Sequence, residues 1–151
     1  MQELKDTQSE TDTRNISIDR VGVKGLRFPI QIQDKLNRIQ STVATVSLAV
    51  DLPEEFKGTH MSRFVEALHQ HGPLLDVHTA LAIPRELLRR LSARRSHVEM
   101  EFPFFRAKNA PVTGIEGLMD YVVRFEMEAE ADNKLADFKL TVVVPVTTLC
   151  P

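Results

Sequence analysis

Three long stretches in the later part of the chain alternate apolar and polar residues with a period of two, and that pattern limits the fold more than any other. Val98, Met100, Phe102 and Phe104 alternate with His97, Glu99, Glu101 and Pro103. Tyr121, Val123, Phe125, Met127 and Ala129 alternate with Arg124, Glu126, Glu128 and Glu130, and Ala136, Phe138, Leu140, Val142, Val144 and Val146 then share one face. Successive side chains of a strand point to opposite sides, so each stretch reads as a strand with one buried and one polar face.

Two more strands are predicted earlier. Between Arg20 and Ile32, Val21 and Val23 are in one phase and Leu26, Phe28, Ile30 and Ile32 in the other, a slip of one at Gly25 that suits a β-bulge. Thr42, Ala44, Val46, Leu48 and Val50 form one face of Ser41 to Asp51. The connection from Gln33 to Gln40 is too short for a crossover helix, which predicts an antiparallel hairpin.

Helical spacing separates these strands from the later ones. In THMSRFVEALHQHG, Thr59 is placed to cap a helix that Gly72 and Pro73 end, with Met61, Phe64, Val65 and Leu68 on one stripe. A second helix is expected with Pro84 in its first turn, running through Leu91 to about Arg95. Asp76 to Ile83 has helical spacing too, but the proline leaves that boundary open. Two strands, two helices, two strands and one further strand imply an α+β fold: an antiparallel sheet with both helices on one face, meeting the apolar side of the strands. Its open edges leave room for copies joined edge to edge into a larger barrel.

Length and charge narrow the function classes. A chain of 151 residues suits one domain able to bury roughly 70% of its unfolded surface. With Lys+Arg 19 against Asp+Glu 21, the formal charge of -2 provides no global field for nucleic acid or an anionic membrane. No apolar run approaches the roughly 20 residues that span a bilayer, and the polar N-terminus lacks a signal peptide's apolar core, so a cytoplasmic location is expected. One cysteine rules out an intrachain disulfide framework. Residues 1–17 are polar and charged and read as a flexible tail.

Cys150, the lone thiol, follows the last strand and is the strongest candidate for chemistry. His60 is expected at the start of a helix close to Lys57 and Arg63; it reads either as a phosphate-facing group or as an ordinary surface histidine. His69 and His71, one residue apart, cannot point the same way on a helix and so do not share a metal. Arg85, Arg89, Arg90, Arg94 and Arg95 suit a solvated face at a helix C-terminus. Glu126, Glu128 and Glu130 share one strand face, turned to solvent or to the inside of a larger barrel.

Four blocks carry a family resemblance: DTRN at 12–15, IDRVGVKGLRFPI at 18–30, DLPEEFKGTHMSRF at 51–64 and VPVTTLCP at 144–151. Together they resemble GTP cyclohydrolase type IB. The resemblance implies the tunnelling fold, whose strand-strand-helix-helix-strand-strand units assemble around a central tunnel. It implies conversion of GTP to 7,8-dihydroneopterin triphosphate and formate, an early step of folate and pterin synthesis. It also implies a divalent metal, zinc or manganese, able to lower the pKa of a bound water to about 7, and a homo-oligomer, with a tetramer expected for the full-length form.

The family pattern near the end is Cys-Pro-Cys-Ser, which aligns Cys150 with its first cysteine, a metal-site residue, and puts the second beyond Pro151. Lys57, His60 and Arg63 become substrate-binding candidates. On this reading residues 18–132 form a first unit and 133–151 the first strand of a truncated second unit, which elsewhere supplies the histidine and glutamates of the site. The 151-residue chain alone is then expected to be inactive. The alternative is a non-catalytic tunnelling-fold protein that acts through assembly or binding.

Overall fold

The computed structural model describes residue 13 and residues 16–33, 38–132 and 137–148. Strands β1 (Ile18–Gln33) and β2 (Ile39–Leu52) form the expected antiparallel hairpin. Their register shifts between Val23 and Leu26, where Gly25 takes φ 73, so the slip in the alternation is a real bulge. A second shift, between Ile18 and Val21, has no counterpart in the sequence reading. At Gly22 the strands approach so closely that a Cβ would lie 1.9 Å from the Leu48 carbonyl oxygen.

Helix α1 (Met61–Gln70) follows, then a two-residue strand β3 (Leu74–Leu75), helix α2 (Val77–Leu91) and strands β4 (Arg95–Asn109), β5 (Glu116–Glu130) and β6 (Asp137–Val143). The sheet order is β3-β1-β2-β4-β5-β6. All pairings are antiparallel except β1 with β3, so the sheet is mixed rather than purely antiparallel. The exception arises because the link between the helices returns along the β1 edge, where Gln31 N–H donates to the Pro73 carbonyl at 2.7 Å.

Both helices lie on one sheet face, as the alternation requires. Phe64, Ala67 and Leu68 of α1 and Ala80, Ile83 and Leu87 of α2 are buried against Ile30, Val46, Leu48, Val98, Met100 and Met127. Register carries the core across the sheet: Leu26 is opposite Val46, Val46 opposite Met100, Met100 opposite Phe125 and Phe125 opposite Leu140. Phe125 contacts Phe102 and Phe138 edge to face, at centroid distances of 5.2 and 5.1 Å.

The helix boundaries correct the sequence reading. His60, not Thr59, is the N-cap of α1, and its side chain makes no capping bond; Met61 is exposed rather than part of the buried stripe. Helix α2 starts seven residues before Pro84, because Asp76 and Thr79 form a reciprocal capping box: Asp76 Oδ1 accepts from Thr79 N–H at 2.7 Å, and Thr79 Oγ1 from Asp76 N–H at 2.8 Å. Pro84 is therefore an interior, buried residue. Ser92 ends the helix in the left-handed conformation, and Arg95 opens β4 instead of closing α2.

Helix coverage is also shorter than expected. A 15-residue helix is about 22 Å long and a 15-residue strand about 50 Å. Val98, Met100 and Phe102 meet the helices, while Phe104 lies at the uncovered end of β4.

Candidate functional site

The β2–α1 connection holds three of the four residues singled out from the sequence. Asp51, near the end of β2, accepts hydrogen bonds at Oδ1 from the backbone N–H groups of Arg94 and Arg95, at 2.9 and 2.7 Å. These bonds fasten the turn after α2 beside the exit of β2. Phe56 N–H then donates to the Pro53 carbonyl at 3.1 Å, turning the chain before Lys57. Lys57 is exposed and His60 half-buried, with extended backbone at φ -78 and ψ 107.

Burial of Phe64, Ala67 and Leu68 orients α1 and leaves Arg63 on its exposed side. Arg63 Nη1 donates at 3.1 Å to the Arg90 carbonyl in the last turn of α2. Arg63 thus joins the two helices as well as adding positive charge beside the start of α1. The first turn of α1 contains no acidic residue, so the positive end of the helix and the nearby cations favour an anion. Lys57, His60 and Arg63 share this short connection and first turn.

Cys150 lies outside the described residues, as do most of residues 1–17. Strand β6 ends at Val143, earlier than the alternation through Val146 implied. Among the described residues no group of three or more His, Cys, Asp or Glu side chains could hold a metal ion. The described residues do not, by themselves, fit the divalent metal that the resemblance implies.

A second region was not legible in the sequence. Beyond the Thr45–Glu101 pair, β2 and β4 no longer continue their backbone ladder. The Gln40 side chain bridges the gap, donating to the Phe105 carbonyl at 2.9 Å and accepting from Phe105 N–H at 2.7 Å, while Thr42 Oγ1 donates to the Pro103 carbonyl at 3.1 Å. An open groove of about 1090 Å³ results, with Phe104, Tyr121, Val123, Leu140 and Val142 among its lining residues and Arg38 and Arg106 beside them.

The opposite sheet face is polar and paired. His97 lies with Nδ1 2.8 Å from Glu128 Oε1 and Nε2 2.9 Å from Glu99 Oε1, and Arg20 reaches the same Glu128 oxygen at 3.3 Å. Arg124 pairs with Glu101, and Lys139 Nζ lies 2.7 Å from Glu126. Glu126 is held below the usual carboxylate range, first by the Lys139 hydrogen bond. The acidic face of β5 is thus largely matched by cations from neighbouring strands. On the helices, Arg90 pairs with Glu86 and Glu66, and Arg89 with Glu86, so part of the arginine cluster ties helices rather than simply facing solvent.

Comparison with known proteins decides the family. A family model described as type I GTP cyclohydrolase folE2 matches residues 4–151. The chain belongs to the FolE2 family of type I GTP cyclohydrolases. It is 97% identical over all 151 residues to GTP cyclohydrolase FolE2 of Akkermansia muciniphila, covering 57% of that protein. It is 47% identical over 148 residues, 98% of the chain and 56% of the relative, to GTP cyclohydrolase FolE2 of Fervidobacterium nodosum. With GTP cyclohydrolase FolE2 of an Azoarcus species the identity is 45% over 148 residues, 98% of the chain and 55% of the relative. The chain spans a little over half the length of these FolE2 relatives. The stretch matched by the family model includes Lys57, His60, Arg63 and Cys150.

Proposed function

We propose that this chain is the part of a type IB GTP cyclohydrolase that contributes one portion of the catalytic site, in an enzyme converting GTP to 7,8-dihydroneopterin triphosphate and formate in the cytoplasm. The observation that carries this reading is the 97% identity, over the whole chain, to a protein named GTP cyclohydrolase FolE2. The positive start of α1 supports a role for Lys57, His60 and Arg63 toward the GTP triphosphate. Zinc or manganese would take Cys150 as one ligand and its remaining ligands from outside the described residues. Alone, the 151 residues are inactive, and the working form is a homo-oligomer, with a tetramer proposed for the full-length protein.

The test is a chimera in which this chain is continued by the unmatched remainder of the Akkermansia muciniphila relative. Formate release from GTP by the chimera, its loss on Cys150→Ser, and no turnover by the 151-residue chain with either metal are expected. A silent chimera beside an active relative would sink the proposal. The apolar lining of the groove supports a second reading, a non-catalytic assembly module. An inactive relative and chimera that still self-associate would support it.

A further inference from the structure

We infer that Arg90 is a positioning residue for GTP: by holding Glu66, it keeps the Arg63 guanidinium from closing an ion pair along α1 and leaves that charge for the triphosphate. This deepens, and rests on, the substrate-binding role proposed above for Arg63. Arg63, Glu66 and Gln70 follow one another at spacings of three and four and so share one face of α1. Arg90 contacts all three. Its backbone carbonyl accepts from Arg63 Nη1 at 3.1 Å, while its guanidinium donates from Nη1 to Glu66 Oε2 at 2.9 Å and from Nη2 to Gln70 Oε1. Glu86 fixes that guanidinium in turn, accepting from Arg90 Nε at 2.5 Å with a carboxylate side chain only 10% exposed.

Glu66 is the only carboxylate in α1 and lies three residues beyond Arg63, a spacing at which opposite charges on a helix meet. Its side chain is 55% exposed, so it can turn once its bond to Arg90 is lost. With Arg90 in place Glu66 is engaged there instead, and among the described residues no carboxylate pairs with Arg63. The bond from Arg63 to the Arg90 carbonyl uses one of five N–H donors and neutralises none of the charge. Without the Arg90 guanidinium, Glu66 has lost its cation and has Arg63 as its neighbour. Pairing between them would neutralise charge beside the start of α1 and set a carboxylate in competition with the triphosphate. Arg90 thus acts on GTP through Glu66 and Arg63, without touching it.

Steady-state formate release by the active chimera, with inorganic tripolyphosphate and guanosine as competing ligands, tests this. Arg90→Met should raise KM for GTP and Ki for tripolyphosphate roughly two- to fivefold, the effect of one exposed ion pair, without changing kcat or the Ki for guanosine. Adding Glu66→Gln should return both constants to those of Glu66→Gln alone. Thermal stability, lowered because Glu86 keeps Arg89 but loses Arg90, should not return. A merely structural role predicts the opposite: binding and stability fall together, and the second substitution rescues neither. Arg90→Lys, whose single ammonium does not serve Glu86 and Glu66 together, should give the same rise and rescue with a smaller loss of stability, and carries the test if Arg90→Met does not fold. If Arg63→Ala raises KM but neither Arg90 variant does, or if Glu66→Gln rescues neither, the inference is overturned and the substrate role of Arg63 stands. A KM indifferent to Arg63→Ala removes that role and the inference with it.

Discussion

Arg90 Nε donates to Glu86 Oε1 at 2.5 Å within α2, and the same guanidinium reaches Glu66 and Gln70 on α1. Arg63 returns the contact by donating to the Arg90 carbonyl. The start of α1, with its substrate-binding candidates, is therefore coupled to the last turn of α2 by side chains outside the apolar core.

Glu86 is the pivot of that coupling. Hydrogen bonding from Arg89, opposed by burial and reinforced by Arg90, lowers its pKa from 4.5 to about 2. A depressed carboxylate pKa contributes stability that is complete above the unfolded value and lost as pH falls through the folded one. Glu86 therefore contributes fully above about pH 4.5, and its contribution drains away toward pH 2. Denaturant unfolding should show Glu86→Gln costing about 1–3 kcal/mol at pH 7 and having a smaller effect as pH falls toward 2. A cost that does not depend on pH over that window would contradict the assignment.

Two glycines of β1 should respond to alanine for different reasons. Gly22→Ala puts a Cβ against the backbone of Leu48, so the hairpin must shift, and a loss of more than about 2 kcal/mol is expected. Gly25→Ala meets nothing within 4 Å and costs only the positive φ, on the order of 1 kcal/mol. Thermal or urea unfolding of both variants would test the order; equal losses would contradict it.

Ser96 is buried at 3% exposure, and its hydroxyl donates to the Pro84 carbonyl at 2.8 Å, joining β4 to the middle of α2. Ser96→Ala should lower stability by about 1 kcal/mol, while Ser96→Thr should retain much of the bond if its extra methyl is accommodated. Urea unfolding midpoints give the comparison. An Ala variant as stable as the parent would show that the bond contributes nothing net.

The strand faces were legible because period two needs only local sequence: Val98, Met100, Phe102, Val123, Phe125 and Met127 were all read as inward and are buried. The bulge was legible because a phase slip at a glycine has few other causes. The start of α2 was misread because Pro84 looked like a first-turn residue, whereas the Asp76–Thr79 capping box sets the true start. Its end was misread because Ser92 rather than glycine takes the left-handed position. The polar pairs Glu101–Arg124 and Glu126–Lys139 depend on register between strands, and the groove on the mismatch between helix and strand length. No one-dimensional pattern carries either. At the candidate site, Lys57, His60 and Arg63 were found through their family-like block, but the bond from Arg63 to α2 became visible only in three dimensions.

That bond separates the expected effects of the three candidates in the active chimera. Lys57 is exposed, so Lys57→Ala should weaken GTP binding with little effect on stability. Loss of one charge-assisted contact, about 1.5 kcal/mol, raises KM about tenfold. Arg63→Ala should raise KM and also lower stability, because it cuts the tie to the Arg90 carbonyl. Arg63→Lys keeps the charge but not the planar fork, and should restore binding more fully than stability. His60→Ala should change kinetics without the capping penalty usual at such a position, since its side chain caps nothing. Steady-state formate release and denaturant unfolding, measured on the same preparations, separate the two effects. Unchanged KM in all three variants would remove this connection from the substrate site.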